Sequence, residues 1–383
     1  MLLKRIWFGL ILAIIIFINP WTRDLERWSV DERFQWRGVR SPLADLIIVK
    51  IDAPTLQWAN TPFWGFKPLY EEFLTAMCSV QARAVFLDLI FDVSPDPIIQ
   101  QLVGKFCEAN QIAFPPHLLN RLGFDLPFRQ ALVKARQAGV KVILGYNKEQ
   151  QGMAATHDLI HLTTPEDQKG FLNMLTDSDH VIRRALVTAV ETQTERWYPS
   201  VARVMAWQIA SECVLPPSPE ILINYAGPAG TYQTESFMNV LNTFRQKPNS
   251  LERFRGKTVL LGLGDITDLK AVPWKGFMNG VEIHANIVEN LVRANWLRRA
   301  PPWVSPVFML LVFPLQILLF QRRGWIGGLV TLVISVVWVA SAQVLFAQQV
   351  ACIRQRETGQ RVGRRKGQYC RLLAGGDDQA QPL

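Results

Sequence analysis

Three long apolar segments, residues 6–18, 303–320 and 325–346, constrain this chain more than any other feature of its sequence. None of them contains a charged residue, and a helix needs about 20 predominantly apolar residues to cross a bilayer. Lys4 and Arg5 precede the first segment, and no small-residue cleavage site follows it, which indicates an uncleaved signal anchor. The sequence therefore predicts three transmembrane helices in a lipid bilayer, over residues 1–21, 303–321 and 325–347.

Basic residues beside these segments predict the orientation of the chain. Short loops rich in Lys and Arg stay in the cytoplasm, which places the N-terminus and the loop at Arg322 and Arg323 inside. Residues 22–302 then form one domain outside the cytoplasm of a multi-pass protein of the cell (inner) membrane. The tail, residues 351–383, holds seven basic and three acidic residues and is predicted to be disordered. Three spans place this basic tail outside, which conflicts with the same charge rule.

Composition and charge exclude several other classes of protein. With 383 residues, 49% of them hydrophobic, the chain is too apolar to be intrinsically disordered. Its 5 cysteines are too few for a disulfide scaffold of this length. The net charge of +9 lies almost entirely in the terminal segments and the loop at Arg322. The near-neutral body lacks the basic face that binds nucleic acid, so no nucleic-acid partner is predicted.

Short apolar runs alternate with amphipathic stretches across residues 45–297. Runs that are apolar on both faces are typical of buried parallel strands, and such runs occupy residues 45–52, 84–92, 141–146, 221–225 and 258–263. Helical periodicity marks the stretches 69–80, 127–138, 199–211 and 280–296. This alternation predicts an α/β fold, with a mainly parallel sheet sandwiched by helices.

Two further segments fit the alternation less well. Residues 184–190 are predicted to pair antiparallel with a neighbouring run. Residues 93–126 contain four prolines and are predicted to form an irregular insertion, because proline disrupts the interior of helices and strands.

Several segments of the domain resemble the CHASE2 family of bacterial transmembrane receptors. The best match is the stretch 254–303, in which GVEIHAN (280–286) is the most specific string. Weaker likenesses occur at residues 30–38, 45–52, 84–92, 170–184 and 221–228. The resemblance implies an extracytoplasmic sensor domain, with a single span before it, usually three after it, and then a cytoplasmic output module such as a nucleotide cyclase or a kinase. This chain departs from that pattern, with two later spans and no output module.

The resemblance implies a signal-input function without catalysis and without a cofactor. The domain is expected to bind an unknown small extracytoplasmic ligand and to pass the signal through its transmembrane helices. The resemblance also implies a homodimer, which suits a two-state receptor. Two interpretations stay open for the missing output module. The chain is either a free-standing sensor that acts through a separate cytoplasmic output protein, or a receptor truncated before that module by a shift of reading frame.

Five residues are candidates for binding the ligand. Asp52, Asp92 and Asp265 stand at the C-terminal ends of predicted strands, where ligands bind in a parallel sheet. Asp88 lies on the same face of its strand as Asp92, and His284 lies within the GVEIHAN string. The alternative is that the aspartates cap loops and helices and that His284 is a hydrogen-bonded core residue.

Other motifs predict neither a cofactor nor a metal. Gly262 and Gly264 follow a strand, but Thr267 stands where a dinucleotide-binding loop has its third glycine, so a tight turn is predicted. His157 and His161 have no third ligand at a suitable spacing. Catalytic signatures are missing as well. The alternative function is a membrane-anchored extracytoplasmic hydrolase that uses the carboxylates of Asp88, Asp92 or Asp265.

Overall fold

The computed structural model describes residues 20–91, 94–115, 118, 123–149, 152–153, 158–190, 197–210, 213–298, 307 and 324–354. Nearly all of the first two predicted spans lies outside these residues, as does the tail from residue 355 onward. Asp92 and His157 also lie outside them.

Within the described residues the helices and strands alternate along most of the domain. The helices are α1 (Pro20–Arg37), α2 (Ala53–Ala59), α3 (Lys67–Ser79), α4 (Asp96–Ala109), α5 (Asp125–Gln137), α6 (Asp158–Thr163), α7 (Val201–Ile209), α8 (Phe237–Gln246), α9 (Gly280–Arg293) and α10 (Gly324–Arg354). The strands are β1 (Leu46–Ile51), β2 (Ala84–Asp88), β3 (Lys141–Tyr146), β4 (Lys148–Glu149), β5 (Gly152–Met153), β6 (Lys169–Phe171), β7 (Arg184–Leu186), β8 (Thr188–Val190), β9 (Trp197–Pro199), β10 (Glu220–Leu222), β11 (Thr234–Ser236), β12 (Thr258–Leu263), β13 (Leu269–Val272) and β14 (Gly276–Asn279).

The central sheet has six strands in the order β11-β1-β12-β2-β3-β6, and every neighbouring pair is parallel. Its inner strands are apolar on both faces because helices cover both sides. On one face Ile48, Phe86 and Leu260 pack with α7 and α9. On the other face Val49 and Leu87 pack with α3, α5 and α8. The predicted α/β fold, with a mainly parallel sheet between helices, is confirmed.

The prediction that residues 221–225 belong to the parallel sheet is wrong. The strand there is β10, which pairs antiparallel with β7 in a separate two-stranded sheet. The strand is short because the backbone of Asn224 bonds instead to the side chain of Asn290, as donor at 2.7 Å and acceptor at 3.0 Å. The antiparallel pairing predicted for residues 184–190 is confirmed, since β8 also pairs antiparallel with β9.

The prediction of an irregular insertion at residues 93–126 is wrong as well, because α4 and the start of α5 lie within it. Its prolines do not interrupt α4. Pro95 and Pro97 lie at the helix start, where the ring is tolerated. Pro115 follows after the helix has ended at Ala109.

One helix among the described residues is long and apolar enough to cross a membrane, over Gly324–Val344 of α10. It overlaps the third predicted span. Beyond this stretch, the Phe346 ring is buried and packs edge-to-face on Phe34 of α1, with ring centroids 5.2 Å apart. The end of α10 therefore contacts the domain through α1.

Candidate functional site

Asp52 and Asp265 both follow strands of the central sheet, and both cap the next turn of chain. Asp52 accepts hydrogen bonds from the backbone N–H of Thr55 at 3.0 Å and the Ser236 hydroxyl at 3.0 Å. Asp265 accepts from the backbone N–H and hydroxyl of Thr267, at 3.1 Å and 2.6 Å. These bonds satisfy donors at the start of a helical turn, as capping residues do. Ligand binding by either residue stays a prediction.

Asp88 is different, because it ends β2 beneath the first turn of α9. It is in register with Gly262 of β12. A Cβ atom at Gly262 would lie 2.7 Å from the Val281 Cβ and 3.2 Å from the Asp88 Cβ, so glycine is required for α9 to approach this closely. Burial raises the pKa of Asp88 to about 8, with a further rise from the nearby carboxylate of Asp268 and an opposing effect of Lys270. The carboxyl group is therefore mostly protonated at pH 7.

His284 lies in the second turn of α9 and faces Asp88. The His284 Nε2 is 3.9 Å from the Asp88 Oδ1, which is too far for a hydrogen bond. The imidazole packs edge-to-face on Phe86, with centroids 5.8 Å apart. Burial lowers the pKa of His284 to about 4. Its Nδ1 is buried and has no hydrogen-bond partner among the described residues. The structure thus brings two of the five predicted site residues together, both uncharged at neutral pH.

Lys50 and Glu282, which the sequence analysis missed, form an ion pair beside this site. Lys50 is in register with Gly262, on the other side from Asp88. Its Nζ lies 2.5 Å from the Glu282 Oε1, and the Glu282 Oε2 accepts the backbone N–H of Gly230 at 2.7 Å. The sequence does show a lysine inside an apolar strand and a glutamate on an apolar helix. It does not show that they pair, because the two residues are 232 positions apart.

The GVEIHAN helix, α9, holds the segment 224–230 through a stripe of polar side chains. Asn286 accepts the backbone N–H of Ala226 at 2.8 Å, and Asn290 bonds both backbone groups of Asn224. Glu289 accepts the Tyr232 hydroxyl at 2.8 Å. These side chains take the place of a neighbouring strand for an irregular segment, because buried backbone groups require partners.

Helix α1 is bound to the domain at the same segment. Arg37 donates to the side chain of Asn224 and to the backbone carbonyl of Tyr225. Just beyond α1, Arg40 donates to the carbonyl of Asn224 at 2.7 Å and lies 3.5 Å from the Glu289 carboxylate. Asn224 therefore contacts α1, Arg40 and α9 at once.

A second attachment of α1 is a buried arginine. Arg183 binds both carboxylate oxygens of Asp31 of α1, at 2.9 Å and 2.7 Å. It also donates to Asp177 at 3.0 Å and to Asp179 at 2.9 Å and 2.8 Å. Asp177, Asp179 and Arg183 lie in the stretch 170–184, one of those that resemble the CHASE2 family, and this stretch therefore holds the N-terminal helix α1.

The sequence analysis raised a metal site and a hydrolase as alternatives, and the described residues bear on both. Within them no group of three or more His, Cys, Asp or Glu side chains has the arrangement of a metal site, and His157 lies outside them. Of the three carboxylates assigned to a hydrolase, Asp92 lies outside the described residues and Asp265 is bonded to Thr267. Asp88, the third of these carboxylates, has the raised pKa that a general acid needs, and the hydrolase alternative stays a prediction.

The parallel α/β fold thus brings the polar stripe of α9 and the loop that ends at Arg183 against the N-terminal helix α1. Residues 8–319 match the family model of the CHASE2 domain, and the chain belongs to that family. CHASE2 domains are extracytoplasmic sensor domains and are not known as catalytic. No curated protein and no solved structure matches the chain.

Proposed function

We propose that the chain is a membrane-anchored sensor whose extracytoplasmic domain passes its state to the membrane through α1. The observation that carries this proposal is the double attachment of α1 through Asp31 and Arg37. In sequence α1 follows the apolar segment 6–18. A rearrangement at Arg183 or Asn224 would therefore move α1 and, through it, the first predicted span.

The sensing crevice of this proposal lies at the Asp88–His284 pair, where buried, uncharged polar groups meet beneath α9. A small ligand that prefers one arrangement of α9 shifts the population toward it, which requires different affinities for the two states. Asp52 and Asp265 follow strands at the same edge of the sheet and form the outer part of the proposed crevice. Asp92, which lies outside the described residues, stays a predicted member of it. The ligand itself is unidentified.

The signal leaves the domain through helices that meet at Phe34. Phe34 contacts Tyr225 in the core at 6.0 Å and Phe346 of α10 at 5.2 Å between ring centroids. In our proposal both α1 and α10 continue into the membrane of a multi-pass protein. We propose that a cytoplasmic output protein or output module receives the signal and that the active form is a homodimer.

Cysteine labelling in spheroplasts tests the membrane placement. Glu108 is exposed on α4, so a membrane-impermeant maleimide should label Glu108→Cys above the level of the parent chain without permeabilisation. Arg323→Cys, in the loop predicted to be cytoplasmic, should react only after permeabilisation. Labelling of Glu108→Cys only after permeabilisation would contradict an extracytoplasmic domain.

Thermal unfolding of the full chain in nanodiscs, with a library of small extracellular solutes, tests the sensing crevice. A solute that binds there should raise the unfolding midpoint of the wild type but not of Asp88→Asn. Glu72→Gln is the matched control, because Glu72 pairs with Arg245 on the other side of the sheet, and it should respond as the wild type does. A solute that stabilises Asp88→Asn to the same extent would place binding elsewhere.

A further inference from the structure

Helix α9 joins the buried acid–imidazole pair to the attachment of α1. Its first turns carry His284 against Asp88, at 3.9 Å. Its later turns carry Asn290, which bonds Asn224 at 2.7 Å, and Asn224 in turn accepts from Arg37 of α1. His284 and Asn290 lie about 9 Å apart along the helix at the usual rise of an α-helix, so a short rigid element separates the two contacts.

We propose that the Asp88–His284 pair is a proton switch, in which release of one proton loosens α9 from the sheet and weakens its hold on α1. This inference rests on the proposed function and names its stimulus, which is the proton activity outside the cytoplasm. The ligand of the crevice is then the proton itself.

The surroundings of Asp88 favour the protonated state. The carboxylate of Asp268, in the turn before β13, raises the pKa of Asp88, and the ammonium of Lys270 in β13 lowers it. On the β1 and α9 side, the ammonium of Lys50 is already paired with Glu282 at 2.5 Å. Among the described residues none donates a hydrogen bond to the Asp88 carboxyl group. The Asp88 side chain is only 13% exposed, so a carboxylate formed here would be largely removed from water and without a protein donor, which is costly.

The same charges connect ionisation to the position of α9. Asp268 accepts the backbone N–H of Gly280, the first residue of α9, at 2.7 Å. The Lys270 ammonium lies 3.4 Å from the Asp268 carboxylate, but its effect on Asp88 is smaller than that of Asp268. Repulsion between an ionised Asp88 and Asp268 therefore acts on the start of the helix. The pKa of Asp88 is raised to about 8 and that of His284 is lowered to about 4. His284 stays neutral across the alkaline transition, and a single proton is exchanged.

Infrared spectroscopy of the full chain in nanodiscs follows the proton directly. A protonated carboxyl group that persists at pH 7 should give a C=O band, and this band should disappear between pH 7 and pH 9. The ionised fraction then rises from about one tenth to about nine tenths. Asp88→Asn should lack the band, and Glu72→Gln should retain it. Absence of an alkaline carboxyl transition in the wild type overturns the proposal whether or not any variant folds.

Hydrogen exchange, corrected for the intrinsic rate at each pH, follows the helix. In the wild type and in Glu72→Gln, protection of residues 280–293 and 224–230 should fall about tenfold between pH 7 and pH 9. Asp88→Asn should show no such fall. A carboxyl transition without loss of protection at 224–230 overturns the coupling.

The two experiments separate this inference from the proposed function. Suppose that the pair titrates and α9 loosens, but that the impermeant maleimide labels Glu108→Cys only after permeabilisation. The proton switch is then supported, and the extracytoplasmic placement is contradicted. If Glu108→Cys is labelled from outside but the pair does not titrate, the switch alone fails.

Discussion

The two helical layers of the domain use their buried polar groups in different ways. The layer of α3, α5 and α8, here the aromatic layer, centres on Tyr70, whose ring contacts Phe128 and Phe237 at 6.1 Å each. Its buried ion pair, Lys67 with Asp125, stays within the layer. In the layer of α7 and α9, here the polar layer, buried polar side chains of α9 bond to the backbone of segment 224–230.

This difference separates stability from communication. The aromatic layer is stabilised mainly by burial of apolar surface, which is non-directional, so small shifts of its helices change its energy less than they change a hydrogen bond. The bonds of the polar layer are directional and end on the segment that also binds α1, so any movement of α9 changes those bonds. We expect changes in the aromatic layer to alter the stability of the whole domain, and changes in the polar layer to alter the attachment of α1 as well.

The largest expected effect is on stability, from Phe237→Ala in the aromatic layer. Phe237 is fully buried and contacts Phe73 at 5.4 Å between ring centroids. Removal of such a ring leaves a cavity and lowers the free energy of unfolding by about 3–5 kcal/mol, measured by denaturant titration. Hydrogen exchange of α1 should change only in step with this global loss. A selective loss of protection in residues 20–37 would refute the separation of the layers.

A smaller but selective effect is expected from Arg37→Met in α1. The change leaves the Asn224 side chain and the Tyr225 carbonyl without their charged donor, and such bonds contribute about 1.5–3 kcal/mol. Exchange of residues 20–37 should accelerate more than that of the sheet. Arg245→Met is the control, because its exposed pair with Glu72 is worth about 0–1 kcal/mol. Equal effects of the two changes would contradict a specific attachment of α1.

The pH dependence of the free energy of unfolding tests Asp88 and His284 in the wild-type chain, with no side chain replaced. The pKa of Asp88 is raised from 3.8 to about 8, so the folded state retains a proton that the unfolded state has lost, and stability falls as pH rises through this range. The pKa of His284 is lowered from 6.5 to about 4, which makes stability rise with pH between those values. The two effects oppose each other below pH 6.5.

Between pH 6.5 and pH 8 the Asp88 effect dominates, because the unfolded-state His284 finishes losing its proton early in this window. The free energy of unfolding should then fall with pH, by at most about 1.4 kcal/mol per pH unit and by roughly 1 kcal/mol over this window, measured by denaturant titration at each pH. Asp88→Asn should remove this slope, and Glu72→Gln should keep it. A flat wild-type profile from pH 6.5 to pH 8 would mean that Asp88 is ionised in the folded domain.

The sequence patterns predicted the central strands well, since β3 and β12 have the bounds of their apolar runs, 141–146 and 258–263. A strand buried on both faces leaves a continuous apolar run, and that signal is local. The failure at 221–225 has a non-local cause, because the Asn290 side chain competes for the backbone of Asn224. The failure at 93–126 came from counting prolines without regard to their position in the helix.

The candidate site was predicted only in part, because its residues carry local signals but its contacts are non-local. The period of two along a strand identified Asp88, on the same face as Asp92, and the family string identified His284. Their separation of 3.9 Å depends on the sheet register and on the position of α9 against the sheet. The attachment of α1 was missed because Asp31 and Arg183 are 152 positions apart. Such pairings arise only after the chain has folded.

The smallest expected effect separates a cap from a ligand-binding residue. Asp52→Ala removes the acceptor for the Thr55 backbone N–H at the start of α2 and should lower the free energy of unfolding by about 1 kcal/mol. Asp52→Asn should lose only a few tenths, because asparagine caps helices about as well, so it isolates the charge from the cap. If Asp52→Asn leaves both the unfolding midpoint and any solute-induced stabilisation unchanged, Asp52 serves the fold alone and is not part of the crevice. Loss of the solute response at unchanged stability would instead assign the Asp52 charge to the ligand.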